Sequence, residues 1–354
     1  MAIDAASLAA ALAPEGTLDA LGPEFDRLGH RYSGKVRENF SHQGRRTIVV
    51  TDRISAFDVV LGTIPFKGQV LNAVATHWFE RTAAVFPNHL VAVPDPQAVI
   101  AIECTPIPVE MVVRGYLTGV SSTSIWRAYE RGERSFCGHA LPDGLRKHER
   151  LRENLVTPST KAAKGDHDES VAKDVLFDRG IVTPEVFERL ERAALELFAF
   201  GQAEAALRGL ILVDTKYELG VAPDGRVVLI DEIHTPDSSR YWYADGYDAA
   251  LAAGEDPRAL DKEFVRRWLV ARGFSGEGPP PPLTPEIRSE AAQRYVELAL
   301  GAAGPAVRAR CRVAAAATAT QPRSALTSPQ APRGADAHPR PRPRTWGEEC
   351  RAGP

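Results

Sequence analysis

The sequence predicts an α+β protein of two lobes followed by a disordered basic tail. Strand-like apolar runs alternate with helical patterns between residues 47 and 300. A chain of 354 residues is long enough for two domains plus extensions. Composition then changes abruptly: residues 301–354 hold nine Arg, no Lys, one Asp and two Glu, a balance of +6, with eight Pro and few large apolar residues. Such a segment cannot bury enough surface to offset its ordering entropy. The remainder carries −9, since the whole chain carries −3.

In chain order, the first residues form a short amphipathic helix ending at Pro14 and Gly16. They contain acids and no basic leader, so no signal peptide is expected. Ser33-Gly34-Lys35-Val36-Arg37 places Lys35 and Arg37 on one face of a strand beginning there. Gly34 permits close backbone approach, which suits phosphates, although a surface basic pair gives the same pattern. Its spacing is not that of a Walker A loop. Thr47 to Thr51 is a strand. The following Thr51-Asp52-Arg53-Ile54-Ser55-Ala56-Phe57-Asp58 carries an Asp-Arg pair that serves either a substrate or a turn. A helix covers Gln69 to Val85, and strands cover Leu90 to Val93 and Val99 to Ile102.

Pro106-Ile107-Pro108-Val109-Glu110 reads as a stiff interdomain connector whose free backbone suits an adenine edge. Glu110 and Arg114 follow on one face of a strand, either as a salt bridge or with Arg114 free to bind an anion bidentately. Residues 157–169 form a long, hydroxyl-rich, charged loop containing His167 and Asp168. Thr183-Pro184-Glu185 starts a helix that Gly201 ends. Further helices begin at Phe264 and Thr284, separated by a Pro/Gly connector at 276–282. Four scattered cysteines without CxxC spacing argue against zinc and for a reduced, cytoplasmic protein. No apolar run approaches the roughly 20 residues that span a bilayer.

The most informative segment is a hairpin. Leu210 to Val213 and Val227 to Ile230 are apolar runs, with Asp224-Gly225 as a turn between them. A two-residue turn there sets Glu218 opposite Asp231. Asp214, Lys216 and Glu218 share one strand face. Two opposed acids destabilise a hairpin unless a divalent cation sits between them, and Mg²⁺ is bound by carboxylates plus substrate phosphates. On this pairing, removing the Glu218 charge leaves stability unchanged or higher. Together these segments outline a phosphate-handling, Mg²⁺-dependent site between two lobes, in an ATP-using transferase or ligase.

The blocks GKVRENF, TDRISAFD, PVEMVVRGYLTG, TPSTKAAKGDHDES, LVDTKYELG and DEIHTPDSSRYW, in this order over residues 30–298, resemble the signature blocks of the SAICAR synthetase (phosphoribosylaminoimidazole-succinocarboxamide synthase) family. The resemblance implies a two-lobed fold distantly like the protein-kinase ATP-binding lobes, with a β-rich lobe over 1–107, an α+β lobe over 108–300 and a tail over 301–354. It implies the purine-biosynthetic reaction of ATP, CAIR and L-aspartate to SAICAR, ADP and phosphate, with ATP and Mg²⁺ required. Gly34, Lys35, Arg37, Val109 and Glu110 match the ATP site. Glu218 and Asp231 match the Mg²⁺ ligands. Arg114, Asp168, Lys216, Ser238 and Arg240 match the substrate site, and Lys216 and Asp214 are the candidate catalytic residues. The small molecules CAIR and L-aspartate are thus the expected partners. The tail departs from the family near Ala299 and resembles translation in a shifted frame. The alternative is a genuine basic tail contacting nucleic acid, which would make the chain a noncatalytic, nucleic-acid-binding paralogue; the intact acids and basic residues argue against that class. Within enzymes, the alternative is a small-molecule kinase.

Overall fold

A computed structural model describes residues 16–121, 124–161, 169–260 and 262–304. The expected helix at the extreme N-terminus, His167, Asp168 and the tail from Pro305 lie outside the described residues.

Strands β1 (His30–Ser33), β2 (Arg37–His42), β3 (Arg45–Val50), β6 (Leu90–Asp95) and β7 (Ala98–Ile102) form an antiparallel sheet in the order β1-β2-β3-β7-β6. Residues 34–36 are the turn between β1 and β2, not the start of a strand. Gly34 N–H donates to the Arg37 carbonyl at 2.8 Å. A short hairpin, β4 (Arg53–Ala56) and β5 (Val59–Thr63), precedes helix α1 (Lys67–Arg81).

The second sheet is built on two twelve-residue strands, β8 (Thr105–Tyr116) and β13 (Leu210–Val221). Its order is β11 (Arg150–Val156), β8, β13, β14 (Val227–Ile230), with β12 (Ser159–Thr160) also on β8 and β15 (Ser239–Tyr243) on β13. Between them lie α2 (Ile125–Glu130), β9 (Ser135–Phe136), β10 (His139–Ala140), α3 (Lys173–Asp178) and α4 (Pro184–Ala206). Helices α5 (Tyr247–Ala253), α6 (Glu263–Val270) and α7 (Pro285–Ala303) follow. Thr183 and Thr284 cap α4 and α7 by accepting from Val186 N–H and Ile287 N–H, each with Pro in the first turn.

Three expectations change. Pro106 and Pro108 are not a connector. They open β8, where among the described residues only β13 pairs with it until Val109 meets Thr160, so their missing donors cost little. Residues 107 and 108 therefore lie inside one unbroken strand. Gly201 does not end its helix, which continues to Ala206. A Cβ on Gly201 would lie 2.3 Å from His234 Cε1 and 2.8 Å from Leu212 Cδ2, so the glycine makes room for a close approach. Folded chain also passes residue 300: α7 reaches Ala303, with Ala302 and Ala303 buried.

One apolar core unites these pieces. Val70, Val74 and Trp78 of α1 pack with Val109, Met111 and Val113 of β8, Leu190 and Phe198 of α4, Tyr217 of β13, and Tyr295 and Leu298 of α7. Burying each large side chain contributes about 1.5–3 kcal/mol. A smaller cluster packs Ile54, Ala56 and Ile64 against Phe264, Leu269 and Ile287. The early hairpin thus rests on the last helices.

Candidate functional site

The hairpin at the site is one residue out of the expected register. Glu218 pairs with Ile230, and Val221 with Val227. The loop has three residues, not two. Gly225 N–H bonds the Ala222 carbonyl and Ala222 N–H the Arg226 carbonyl, both at 2.9 Å, with Gly225 at φ +83°. Pro223-Asp224 suits the centre of a type I turn, and Gly225 supplies the left-handed residue that completes it. Asp231 lies just past β14, at φ +68°. The acid directly opposite Glu218 is instead Glu110 on β8.

The β8–β13 ribbon consequently carries a ladder of charge on one face. Asp214 faces Arg114, Lys216 faces Val112, and Glu218 faces Glu110. Four residues of strand separate Asp214 from Glu218, roughly 13 Å. Lys216 stands midway, donating to Glu110 Oε1 at 2.6 Å and Glu218 Oε1 at 3.1 Å. Burial lowers its basicity, but Glu218 and Glu110 outweigh this and hold it charged. Burial raises the Glu218 carboxyl, yet Lys216 and Lys161 bring it down to about 2. Lys161 pairs with Glu218 directly.

Around the Glu218 end lies a cavity of about 230 Å³. Its lining includes the turn residues Gly34, Lys35, Val36 and Arg37, the apolar Ile48, Ile102, Cys104 and Pro106, and the charged Lys161, Glu218 and Asp231. Val109 and Glu110 are buried in β8 and do not line it. Arg37 pairs with Asp231 and, at 3.0 Å, with Glu232. Burial, reinforced by Glu218 and Glu232, pushes the Asp231 carboxyl up to about 6 despite Arg37. Lys35 pairs with Asp58 at 2.5 Å, both exposed.

At the opposite end, Asp214 accepts from Arg240 Nη1 at 2.5 Å and lies 3.7 Å from Arg114 Nη1. Arg114 Nε donates to Thr157 Oγ1 at 2.9 Å, and Arg240 Nη2 reaches Glu263 at 3.4 Å. Burial and the neighbouring Arg240 charge make Arg114 less basic than usual, so two guanidiniums crowd one carboxylate. An anionic ligand relieves that crowding. The Ser238 hydroxyl accepts from Thr235 N–H at 3.2 Å and shapes the turn that presents Arg240. Sequence reading missed Lys161, Glu232 and the buried pair Lys67–Asp237 at 2.8 Å. Lys161 and Asp237 stood inside the quoted blocks, but their partners are distant in sequence.

The sequence profile of the SAICAR synthetase family matches residues 30–279. The chain belongs to this family. A putative phosphoribosylaminoimidazole-succinocarboxamide synthase 2 of Mesorhizobium japonicum is 49% identical over 280 residues, covering 79% of this chain and 88% of the relative. The corresponding synthase of Bacteroides thetaiotaomicron is 49% identical over 271 residues, 75% of this chain and 85% of the relative. Among solved structures, the SAICAR synthase of Saccharomyces cerevisiae complexed with SAICAR superposes with a TM-score of 0.69 at 28% identity, over 81% of this chain and 98% of that one. The α+β fold is therefore that of SAICAR synthetase. Every charged residue of the ladder falls within the matched range, whereas α7 follows it. No helix among the described residues is long and apolar enough to cross a membrane.

Proposed function

We propose that this chain joins L-aspartate to the carboxylate of CAIR at the expense of ATP, forming SAICAR, ADP and phosphate in purine biosynthesis. The observation that carries the residue assignment is the charge ladder, because Lys216 stands on it between an acidic end suited to a cation and its phosphates and an Arg114–Arg240 end suited to an anion. The nucleotide occupies the cavity under the Gly34–Arg37 turn, its phosphates near Lys35 and Arg37 and its base near the start of β8. CAIR occupies the Arg114–Arg240 end. A carboxylate is a poor electrophile, so one of its oxygens attacks the γ-phosphorus and ADP leaves. The aspartate amine then attacks the acyl carbon, phosphate departs, and the nitrogen loses a proton. Lys216 and the arginines offset the charge that accumulates during both steps. Lys216 and Asp214 are the candidate catalytic residues because Lys216 lies midway along the ladder and Asp214 is held between Arg114 and Arg240 at the CAIR end.

The donor set fits Mg²⁺. Glu218 and Asp231 present hard oxygens to one cavity, and Asp231, half-buried, lies close enough to Glu218 and Glu232 for their charges to raise its carboxyl. They would hold the ion, which when bound neutralises phosphate charge. The reading places the enzyme in the cytoplasm, with ATP, CAIR and aspartate as its small-molecule partners.

The test is a coupled assay of ADP release. Turnover should require both CAIR and aspartate. ADP release with CAIR alone, at the full rate, would make the chain a kinase and overturn the ligase reading.

A further inference from the structure

The Asp-Arg pair after β3 is not an ion pair between its own members. Asp52 accepts from Leu18 N–H at 2.7 Å and Gly68 N–H at 2.8 Å. Arg53 turns the other way and lies behind the Gly34–Arg37 turn, its side chain only 11% exposed. Its Nε donates to the Lys35 carbonyl at 2.8 Å and its Nη2 to the Gly34 carbonyl at 3.0 Å. Nη1 donates to the Asp19 carbonyl and to Glu38 Oε1, the latter at 2.9 Å. Glu38 is buried and is held in turn by Arg31 and Ser33. Gly34, Lys35, Val36 and Arg37 line the nucleotide cavity; Arg53 does not.

A trans peptide unit is planar, so its carbonyl and the next residue's N–H point in opposite directions. Anchoring the Gly34 carbonyl behind the turn sends the Lys35 N–H forward. Anchoring the Lys35 carbonyl does the same for the Val36 N–H. Neither amide has a hydrogen-bond partner among the described residues. Two successive free amides facing one side form an anion-binding concavity.

We infer that Arg53 is a positioning residue for polyphosphate: its guanidinium fixes two carbonyls so that the Lys35 and Val36 amides face the phosphates of the nucleotide. It touches no ligand itself. The inference rests on the cavity under this turn being the ATP site. It assigns the Arg of this motif a function that its contacts otherwise hide, because carbonyl partners leave no side-chain pattern in the sequence.

Arg53→Lys in the full chain keeps the charge but loses the planar fork, so one ammonium must replace three divergent N–H directions. The KM for ATP should rise about tenfold or more, with the KM for CAIR within about twofold of the parent. Binding of ADP should weaken in the same variant while that of adenosine, which lacks phosphate, holds. Equal weakening of ADP and adenosine, or an unchanged KM for ATP, would overturn the inference. A second measurement is independent of the variant's stability. In the parent protein, ADP but not adenosine should slow hydrogen exchange at the Lys35 and Val36 amides. Lack of protection by ADP, while ADP still binds, defeats the positioning role alone. Absence of any ADP binding or ATP-dependent turnover in the parent defeats the proposed function instead.

Discussion

Glu218 answers to two demands, and the structure reverses what its neighbours in sequence suggested for it. The two-residue turn made Glu218 one of two repelling acids on a hairpin, so that Glu218→Gln would leave the fold as stable or more so. An acid still opposes it, Glu110, but Lys161 and Lys216 outweigh that neighbour, and its carboxyl is held down to about 2. A lowered acid contributes stability above its unfolded value near 4.5 and loses it as pH falls through about 2. At pH 7, Glu218→Gln should therefore cost about 1–2 kcal/mol, discounted because both lysines are partly solvated. The gap should shrink toward zero near pH 2, as read by urea unfolding at several pH values. ADP release should be lost throughout. Asp231 has the opposite sign. Its folded value of about 6 lies above the usual 3.8, so its contribution to stability is present below about 3.8 and fades as pH rises to 6. Mg²⁺ competes with that proton. Calorimetric titration should show metal affinity rising about tenfold per pH unit below 6 and levelling above it. Asp231→Asn should flatten this profile; a profile already flat in the parent would remove Asp231 from the metal site.

At the scale of elements, local chemistry and distant packing diverge at identifiable places. Thr183-Pro184 and Thr284-Pro285 were legible because a cap is satisfied within one turn. The face shared by Asp214, Lys216 and Glu218 was legible because alternation is intrinsic to a strand. The partner of Glu218 was not, since it depends on one extra loop residue and on β8, about a hundred residues earlier. Gly201 was misread for a related reason: its role comes from His234 and Leu212, which no helix pattern announces. Gly201→Ala makes the point measurable. Helix propensity alone favours alanine by about 1 kcal/mol. The added methyl, however, meets the fully buried His234 ring at 2.3 Å, and overpacking typically costs about 1–3 kcal/mol. The variant should be the less stable protein by denaturant unfolding. A gain would mean that the imidazole yields freely.

For the whole molecule, the boundary of the folded part can be placed by experiment. Composition put it at 300, because alanines and glycines look like the tail that follows. Ala302 and Ala303 nevertheless pack in the main core. Deletion after Gly304 should leave the melting temperature and turnover near parental values. Deletion from Gly301 should lower the melting temperature by several degrees, about 1 kcal/mol for the lost burial. Equal melting temperatures would show that the last turn of α7 contributes nothing. That helix also sets an order of events. Lys67 near the start of α1 is fully buried, and its counter-ion Asp237 lies 170 residues later. Tyr295 of α7 stands over its ammonium at 5.7 Å and donates to the same Asp237 at 2.6 Å. Arg288 of α7 meanwhile reaches back to the Thr63 carbonyl at 2.8 Å, across 225 residues. Until that helix is made, Lys67 lacks the Tyr295 ring and Asp237 the Tyr295 hydroxyl that complete this buried cluster. Closure of these contacts, which join residues 170 and 225 apart, should slow refolding.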